Sequence, residues 1–319
     1  MLTLKRSLKP LAAAMLALLC GAVRAAPAAT FVMVPKSSSP YYQPCFEGFS
    51  AAAAKYGLAV RRIDPARPEA PVQAEVIQRL IGEHVDGIAL SAIDDAGLAP
   101  VIAAAARAGV PVITFDSPAP SSVAQSYIGT DNRAAGLEAG KRLASLMKGA
   151  GRLLVLQGGL AAANLNLRAQ GLREALAKTS VKVLEVVDIS GDDAAAAAKT
   201  AEALRGHPEA TAVFSVSSAG APAAAEALAR QGRAGKVLVA GFDDRPATLD
   251  GIRRGTVSFC VVQKTFKMGW LSVRALLAAA AGRKPPRKVD TGVVFVTGAN
   301  VDTYVDEMRS EVTRPGGGR

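Results

Sequence analysis

The sequence alternates short β-rich runs with alanine-rich segments of helical spacing, and this alternation limits the fold more than any other feature of the chain. Strict alternation of strand and helix is typical of parallel, doubly wound sheets with right-handed crossovers, so we predict an α/β fold. The predicted strands lie at residues 30–34, 58–63, 85–90, 110–115, 125–129, 152–157, 181–187, 211–216, 236–242, 257–262 and 292–297. The predicted helices lie near residues 44–56, 72–83, 97–108, 133–148, 167–178, 194–206, 219–231, 246–254 and 264–281.

So many strands exceed what one doubly wound sheet usually holds, and we therefore divide them between two lobes. A single large sheet is the alternative. The chain is expected to cross between the lobes at residues 129–131, near Gln263 and near Thr291, because the C-terminal units must complete both halves. The predicted organisation is an N-terminal lobe of residues 28–130 plus 264–291, a C-terminal lobe of residues 131–263 plus 292–312, and a disordered tail at 313–319.

The first 26 residues have the pattern of a secretory signal peptide. Three basic residues precede an apolar run that is too short to cross a bilayer, and small residues follow it as a cleavage site near Ala26. A lipoprotein signal centred on Cys20 is the alternative, but Leu19 stands where such signals usually carry a small residue. We therefore expect an exported mature chain.

The mature chain is less basic than the whole sequence. Four of the 38 Lys and Arg residues lie within the first 26 positions, which leaves 34 against 27 acidic residues and a net charge of +7. The basic residues are scattered and are not interleaved with aromatic residues, so we do not expect nucleic-acid binding. The two histidines, His84 and His207, are isolated near turns, and no metal site is expected.

Two cysteines, Cys45 and Cys260, remain in the mature chain. In an oxidising compartment two leftover thiols often pair, which makes a disulfide between them one interpretation. Two separate buried thiols that pack as small hydrophobic residues are the other interpretation, and the sequence does not choose between them.

Polar side chains follow nearly every predicted strand at its carboxyl end. Asp116 ends the apolar run at 110–115, and Asp243 follows the run at 236–242. Hydroxyl, amide and guanidinium groups follow other strands, within the segments PKSSSPYYQP, SAIDD, GGLAAANLNLR, SSAG and QKT. In open parallel sheets ligands bind outside the carboxyl ends of the strands, so we expect these side chains to face one polar cleft.

The residue types in this set favour capture of a ligand over catalysis. No histidine follows a predicted strand, and no cysteine adjoins an acid–histidine pair that would activate it. The first strand is not followed by G-x-G-x-x-G, and QGGLAAAN lacks the Lys and Ser/Thr of a P-loop. Carboxylates, amides and an arginine suit a ligand with many hydroxyl groups, and Tyr41 and Tyr42 can cover the apolar faces of a sugar ring. We predict a protein that is not an enzyme, needs no cofactor and binds a sugar or polyol.

Several of these residues also have a purely structural interpretation. Tyr41 and Tyr42 can pack in a core, and Arg168 can be solvated on its helix. Trp270 lies on a helix of apolar spacing and is predicted to pack in a core or between lobes. The aspartates that have an alternative interpretation as helix caps are Asp94, Asp95, Asp116, Asp131 and Asp243.

Longer segments of the chain resemble a known family in their order and spacing. These segments are PYYQPCFEGFSAAAAKYG, VDGIALSAID, AGVPVITFDSPAP, YIGTDNRAAGLEAG, LNLRAQGL, AVFSVSSAGAPAAAEAL, VLVAGFDD and VVQKTFKMG. Over essentially the whole mature sequence the chain resembles the periplasmic sugar-binding proteins of the ribose-binding type, which are soluble receptors of ABC importers. The resemblance implies two Rossmann-like lobes joined by a three-strand hinge, which close on a sugar in the cleft between them.

The resemblance also implies a ligand site. Asp116 matches the first-lobe aspartate that bonds sugar hydroxyls, and Asp243 matches the aspartate of the GFD motif. Arg168 matches the arginine of the R-x-x-G helix start, and Tyr41 and Tyr42 match the stacking aromatic residues. The other ligand contacts that the resemblance implies are Lys36, Ser39, Ser91, Asn164, Asn166, Ser217 and Gln263.

Three departures from the ribose type bear on the ligand. Ser38–Ser39 replaces a pair of asparagines, Ser117 replaces an arginine, and Ser217–Ser218 replaces Asn-Asp. The resemblance therefore implies a pentose, hexose or cyclitol without specifying ribose. The expected function is that of a monomeric periplasmic receptor that delivers this ligand to an ABC transporter permease. The alternatives are a sensor that docks on a chemoreceptor or histidine kinase and, in another class, a sugar-acting enzyme.

Overall fold

The structure of the protein is a computed structural model that describes residues 29–160 and 162–314. The predicted signal peptide at residues 1–26, including the alternative at Cys20, lies outside the described residues. Residues 315–319 of the predicted tail also lie outside them, whereas Thr313 is the last residue of a helix. None of the described helices is long and apolar enough to cross a membrane.

Strands and helices alternate along the described chain, and every predicted strand overlaps an observed one. The strands are β1 Thr30–Val34, β2 Ala59–Arg62, β3 Gly87–Leu90, β4 Val112–Phe115, β5 Tyr127–Gly129, β6 Ala150–Gln157, β7 Ser180–Asp188, β8 Ala212–Ser215, β9 Leu238–Phe242, β10 Phe259–Gln263, β11 Lys288–Asp290 and β12 Val293–Val296. The helices are α1 Gln43–Tyr56, α2 Ala70–Gly82, α3 Asp95–Arg107, α4 Asn132–Leu146, α5 Ala163–Leu176, α6 Asp193–Gly206, α7 Gly220–Arg230, α8 Pro246–Arg253, α9 Thr265–Ala280 and α10 Tyr304–Thr313. A single 3₁₀ turn, Pro40–Tyr42, precedes α1.

The strands form two six-stranded sheets, one in each lobe. The first sheet has the order β11-β5-β4-β3-β1-β2, and the second has the order β12-β10-β9-β8-β6-β7. All neighbouring strands in these sheets are parallel except β12, which runs antiparallel to β10. The two strand orders match position by position, so the second lobe repeats the topology of the first apart from the direction of its edge strand β12. The predicted α/β fold with two doubly wound lobes is confirmed.

The chain passes between the two sheets at three places. From β5 it enters α4 of the second lobe, from β10 it enters α9, which packs on the first sheet, and from β11 it enters β12. Two of these crossings are hydrogen-bonded to each other, because the Asp290 carboxylate accepts from the backbone N–H groups of Asp131 and Gly292 at 2.9 Å each. Gly292 has a φ of 71°, a backbone conformation that glycine adopts without strain.

Glycines allow close contact between the helices that lead to the strand ends. Gly269 of α9 faces the carbonyl of Cys45 in α1, and Gly171 of α5 faces the carbonyl of Arg133 in α4. A β-carbon at these glycines would lie 1.8 and 2.0 Å from the respective oxygens. These contacts fix α1 and α5, whose first turns lie beside the carboxyl ends of the two sheets.

The two cysteines lie in different lobes. Cys45 packs in the core of the first lobe, Cys260 packs in the core of the second, and both thiols are unpaired within the described residues. The structure therefore favours two separate buried thiols over a disulfide. Burial raises the pKa of both thiols above the ordinary value. Trp270 is also buried in the core of the first lobe, as predicted.

Candidate functional site

Asp116 lies directly after β4, at the carboxyl end of the first sheet. Its backbone is left-handed, with a φ of 57°, which is uncommon for a residue other than glycine. Its N–H donates to the Ile128 carbonyl in β5 at 3.1 Å, and its own carbonyl accepts from the Tyr127 hydroxyl at 3.0 Å. The neighbouring strand thus holds the Asp116 backbone at the strand tip.

Three hydroxyl groups donate to the Asp116 carboxylate. Tyr41 donates to Oδ1 at 2.9 Å, and Ser91 and Tyr42 donate to Oδ2 at 2.8 and 3.2 Å. Burial, reinforced by the Asp116 charge, raises the pKa of both tyrosines, so they remain protonated donors. The Tyr42 ring is only 5% exposed and packs edge-on against Phe115, whereas Tyr41 is less buried. The main role of the Tyr42 hydroxyl is therefore to position the Asp116 carboxylate.

Asp243 has the equivalent place in the second lobe, directly after β9. Its φ is 68°, and its N–H donates to the Val261 carbonyl in the neighbouring strand β10 at 2.9 Å. Gln263 Nε2 donates to Oδ1 at 3.3 Å, and Arg168 Nη1 lies 3.9 Å from Oδ2. Burial raises the pKa of Asp243 above the ordinary value, and Arg168 and Gln263 offset part of that rise.

Arg168 is a charged side chain that is only 2% exposed. Its Nε donates to Asn132 Oδ1 at 2.9 Å and its Nη1 donates to the Val216 carbonyl at 3.1 Å. The guanidinium carbon lies 4.1 Å from the centroid of the Phe242 ring, a cation–π contact. A guanidinium has five N–H donors, and no described residue accepts from its Nη2. Arg168 therefore retains donors for a ligand.

These side chains face one cleft between the lobes, with a volume of about 680 Å³. This volume lies within the usual range for small-molecule sites. Ten of the twelve ligand residues predicted from the sequence line the cleft: Lys36, Ser39, Tyr41, Tyr42, Asp116, Asn164, Arg168, Ser217, Asp243 and Gln263.

The other two predicted residues, Ser91 and Asn166, do not line this cleft. Ser91 is fully buried, and its hydroxyl donates to Asp116, so it supports the carboxylate from behind. Asn166 uses its side chain within the second lobe, where Nδ2 donates to the Leu160 carbonyl at 2.8 Å and Oδ1 accepts from Gln157 at 2.5 Å. Asn164 is therefore the asparagine of α5 that reaches the cleft.

The sequence predictions missed several residues that line the cleft. Asp244 and Arg245 follow Asp243 in the loop before α8, and Ser218 follows Ser217 after β8. In the sequence each of these three residues lies within two positions of a predicted ligand residue, Asp243 or Ser217. The other missed residues are Pro40, Pro44, Leu165, Pro246 and Thr265.

The helix-cap predictions hold for some aspartates. Asp94 and Asp131 each accept a backbone N–H from the first turn of their helix at 3.1 Å, as predicted. The prediction for Asp95 is wrong, because its carboxylate accepts from the N–H and hydroxyl of Ser121. Neither cleft aspartate caps a helix, since Asp116 is followed by a loop and the N-cap of α8 is Arg245.

Comparison with known protein families shows where this two-lobed arrangement belongs. A family model described as a periplasmic binding protein domain matches residues 29–284, which is most of the chain. The chain belongs to the periplasmic binding protein family. The match includes both sheets up to α9 and all of the described residues that line the cleft of this periplasmic binding protein.

Relatives of this periplasmic binding protein cover both lobes. The ribose import binding protein of Bacillus subtilis is 25% identical over 260 residues, which cover 82% of this chain and 84% of that protein. An ABC transporter solute-binding protein from Burkholderia graminis C4D1M, solved in complex with D-arabinose, is 34% identical, has a TM-score of 0.81 and covers 88% of this chain and 98% of its own. AraP, an arabinose-binding protein from Geobacillus stearothermophilus, is 30% identical, has a TM-score of 0.81 and covers 86% of this chain and 99% of its own.

Proposed function

We propose that this protein captures a monosaccharide in the cleft between its lobes and delivers it, in the periplasm, to the permease of an ABC importer. The observation that carries the proposal is the placement of Asp116 and Asp243 at equivalent strand ends on one shared cleft. The names of the relatives support a sugar ligand, and the two solved structures support a pentose, because both relate to arabinose. The protein is proposed to act as a monomer.

The side chains of the cleft have complementary roles in this proposal. Asp116 and Asp243 accept hydrogen bonds from sugar hydroxyls, while Arg168 donates its remaining N–H groups to hydroxyl or ring oxygens. Lys36 and Asn164 add further donors, since neither side chain is hydrogen-bonded to another described residue. Neither a histidine nor a cysteine is among the described residues that line the cleft, which favours binding over catalysis.

The energetics are consistent with a small polar ligand. A hydrogen bond to a charged group contributes about 1.5–3 kcal/mol net, and micromolar affinity requires about 8 kcal/mol in total. Several such bonds suffice only if water is excluded, because binding also costs translational and side-chain entropy. In the proposed mechanism the lobes therefore close over the sugar.

Closure is proposed to occur at the three crossings between the lobes. The lobes that move are proposed to be residues 28–130 plus 264–291 and residues 131–263 plus 292–312, except that the end of α10 packs on the first lobe through Val312. Ligand contacts from both lobes stabilise the closed form, and only that form presents the matching surfaces of both lobes to a permease. A chemoreceptor or histidine kinase as an additional partner stays a prediction.

Isothermal titration calorimetry of the mature chain with a panel of pentoses, hexoses and cyclitols tests the proposed function. We expect one sugar per chain with a dissociation constant of about 1 μM or lower, and a pentose among the tightest ligands. The bound sugar should be recovered unchanged after denaturation, and a chemically altered sugar would support the enzyme alternative. Absence of binding by every member of the panel would contradict the proposal.

A further inference from the structure

Three carboxylates among the described residues line the cleft, and they differ in how much of their hydrogen-bonding capacity the protein uses. Asp116 accepts from three hydroxyl groups, and Asp243 accepts from Gln263 and lies near Arg168. Asp244 accepts from Tyr304 alone, whose hydroxyl donates to Oδ2 at 2.8 Å. No described residue donates to Oδ1 of Asp244, and no described Lys or Arg forms an ion pair with it.

An ionised carboxylate offers about four acceptor sites, so Asp244 has unused capacity in the cleft. The loop from β9 to α8 places it there, because Asp243 turns the chain through its left-handed φ and Arg245 then caps α8. Asp244 is half-buried, which reduces the water available to its oxygens. A half-buried acceptor of this kind is stabilised when a ligand supplies the missing donor.

The residue that holds Asp244 comes from a distant part of the chain. Tyr304 is the first residue of α10 and is 4% exposed in the core of the second lobe. Burial, reinforced by the charge of Asp244, raises the pKa of Tyr304, so its hydroxyl remains a donor. The other end of α10 is anchored in the first lobe, where Val312 joins the core around Phe266. The packing of the Tyr304 ring in one core and of the end of α10 in the other therefore holds Tyr304 in place.

We propose that Asp244 is a ligand-contacting, specificity-determining residue whose free Oδ1 accepts from a sugar hydroxyl, and that Tyr304 is its positioning residue. This inference rests on the proposed function of the same cleft. The donor is a neutral hydroxyl and not an ammonium group, because the positive charges of Lys36, Arg168 and Arg245 already match the three carboxylates that line the cleft. The ligand class is therefore a neutral monosaccharide in which one hydroxyl meets Asp244.

The test measures sugar affinity by calorimetry for Asp244→Asn, Tyr304→Phe and the double variant. The probes are D-arabinose, L-arabinose and D-ribose, together with monodeoxy analogues of the sugar that binds most tightly. Asp302→Asn and Tyr56→Phe are matched controls, because both side chains are exposed and lie outside the cleft. Thermal unfolding of each variant checks that the fold is retained.

We expect Asp244→Asn to weaken binding about tenfold and Tyr304→Phe to weaken it about threefold, with both controls unchanged. In the Asp244→Asn background, Tyr304→Phe should cause no further loss, because it acts through Asp244. One deoxy analogue should bind the wild type and Asp244→Asn equally. A purely structural Tyr304 would lower the melting temperature without this coupling.

Two results would overturn the inference separately from the proposed function. If the wild type binds a sugar and Asp244→Asn binds it equally tightly, Asp244 does not contact the ligand. If the losses of the two single variants add in the double variant, Tyr304 does not act through Asp244. A wild type that binds none of the probes and none of the wider panel would overturn the proposed function and this inference with it.

Discussion

Asp116 and Asp243 have the same position and the same backbone conformation in the two lobes. Each follows the third strand of its sheet, counted from the edge strands β11 and β12, and their φ angles are 57° and 68°. Each N–H donates to a carbonyl of the adjacent strand, at 3.1 Å in the first lobe and 2.9 Å in the second. The repeated topology thus gives one cleft two carboxylates, one from each lobe.

Removing the charge of Asp116 should weaken sugar binding without unfolding the protein. We expect Asp116→Asn to lower the affinity about tenfold or more, because a charged acceptor of sugar hydroxyls becomes neutral. Asparagine tolerates the left-handed backbone of this position, so thermal unfolding should stay cooperative. Calorimetry checks the affinity, with Asp302→Asn as the exposed control. Unchanged affinity would remove Asp116 from the site.

Sugar affinity should fall on acidification because of Asp243. Burial raises the pKa of Asp243 in the ligand-free protein, and a sugar hydroxyl that donates to the carboxylate favours its ionised form. Binding therefore lowers this pKa. The affinity is at its maximum above the raised ligand-free pKa, and it declines as the pH falls through that value.

Calorimetry of the sugar from neutral to acidic pH, in buffers of different ionisation enthalpy, measures this effect. Binding should release protons in the window between the ligand-bound and ligand-free pKa values of Asp243. In Asp243→Asn the proton release and the associated fall in affinity should be lost. A pH profile that is the same in this variant and the wild type would contradict the assignment to Asp243.

The close contact between α1 and α9 should depend on glycine. A β-carbon at Gly269 would lie 1.8 Å from the Cys45 carbonyl oxygen, so Gly269→Ala must push the helices apart. We expect the free energy of unfolding to fall by about 1–3 kcal/mol or more. Denaturant titration measures the change. Gly206→Ala, at a site with no atom within 4 Å of the new methyl group, should change it by less than about 1 kcal/mol. Equal stability of the two variants would contradict the contact.

Cys45 and Cys260 should both be present as unreactive thiols. Cys45 and Cys260 are fully buried in separate lobes, and burial raises the pKa of each thiol, which suppresses the nucleophilic thiolate. A thiol reagent should label neither residue in the native protein and both in denaturant. A reductant should leave the melting temperature unchanged. A reductant-sensitive melting temperature with unlabelled cysteines in denaturant would indicate a disulfide.

The alternation of strands and helices was predictable because burial on both faces gives a parallel strand a continuous apolar run. β11, Lys288–Asp290, lacks such a run, since it is an edge strand with two exposed charged residues. The helix α10 was also missed. Its buried residues Tyr304, Met308 and Val312 recur every four positions, but they divide between the cores of the two lobes.

The residue types of the site were predictable because the carboxyl ends of parallel strands converge at one edge of a sheet. Their hydrogen-bond partners were not predictable in the same way. The contact from Tyr42 to Asp116 joins positions 74 residues apart, and it exists only after the 3₁₀ turn Pro40–Tyr42 packs against Phe115 at the end of β4. The choice between Asn164 and Asn166 depends on where α5 begins. The sequence predicted its start at residue 167, four residues after the observed start at Ala163.

A crystal structure of the protein with the sugar that binds most tightly tests the shared cleft most directly. We predict one sugar in the cleft, with hydroxyl groups within hydrogen-bonding distance of the carboxylates of both Asp116 and Asp243. A sugar bound outside the cleft, or in contact with only one of the two lobes, would contradict it.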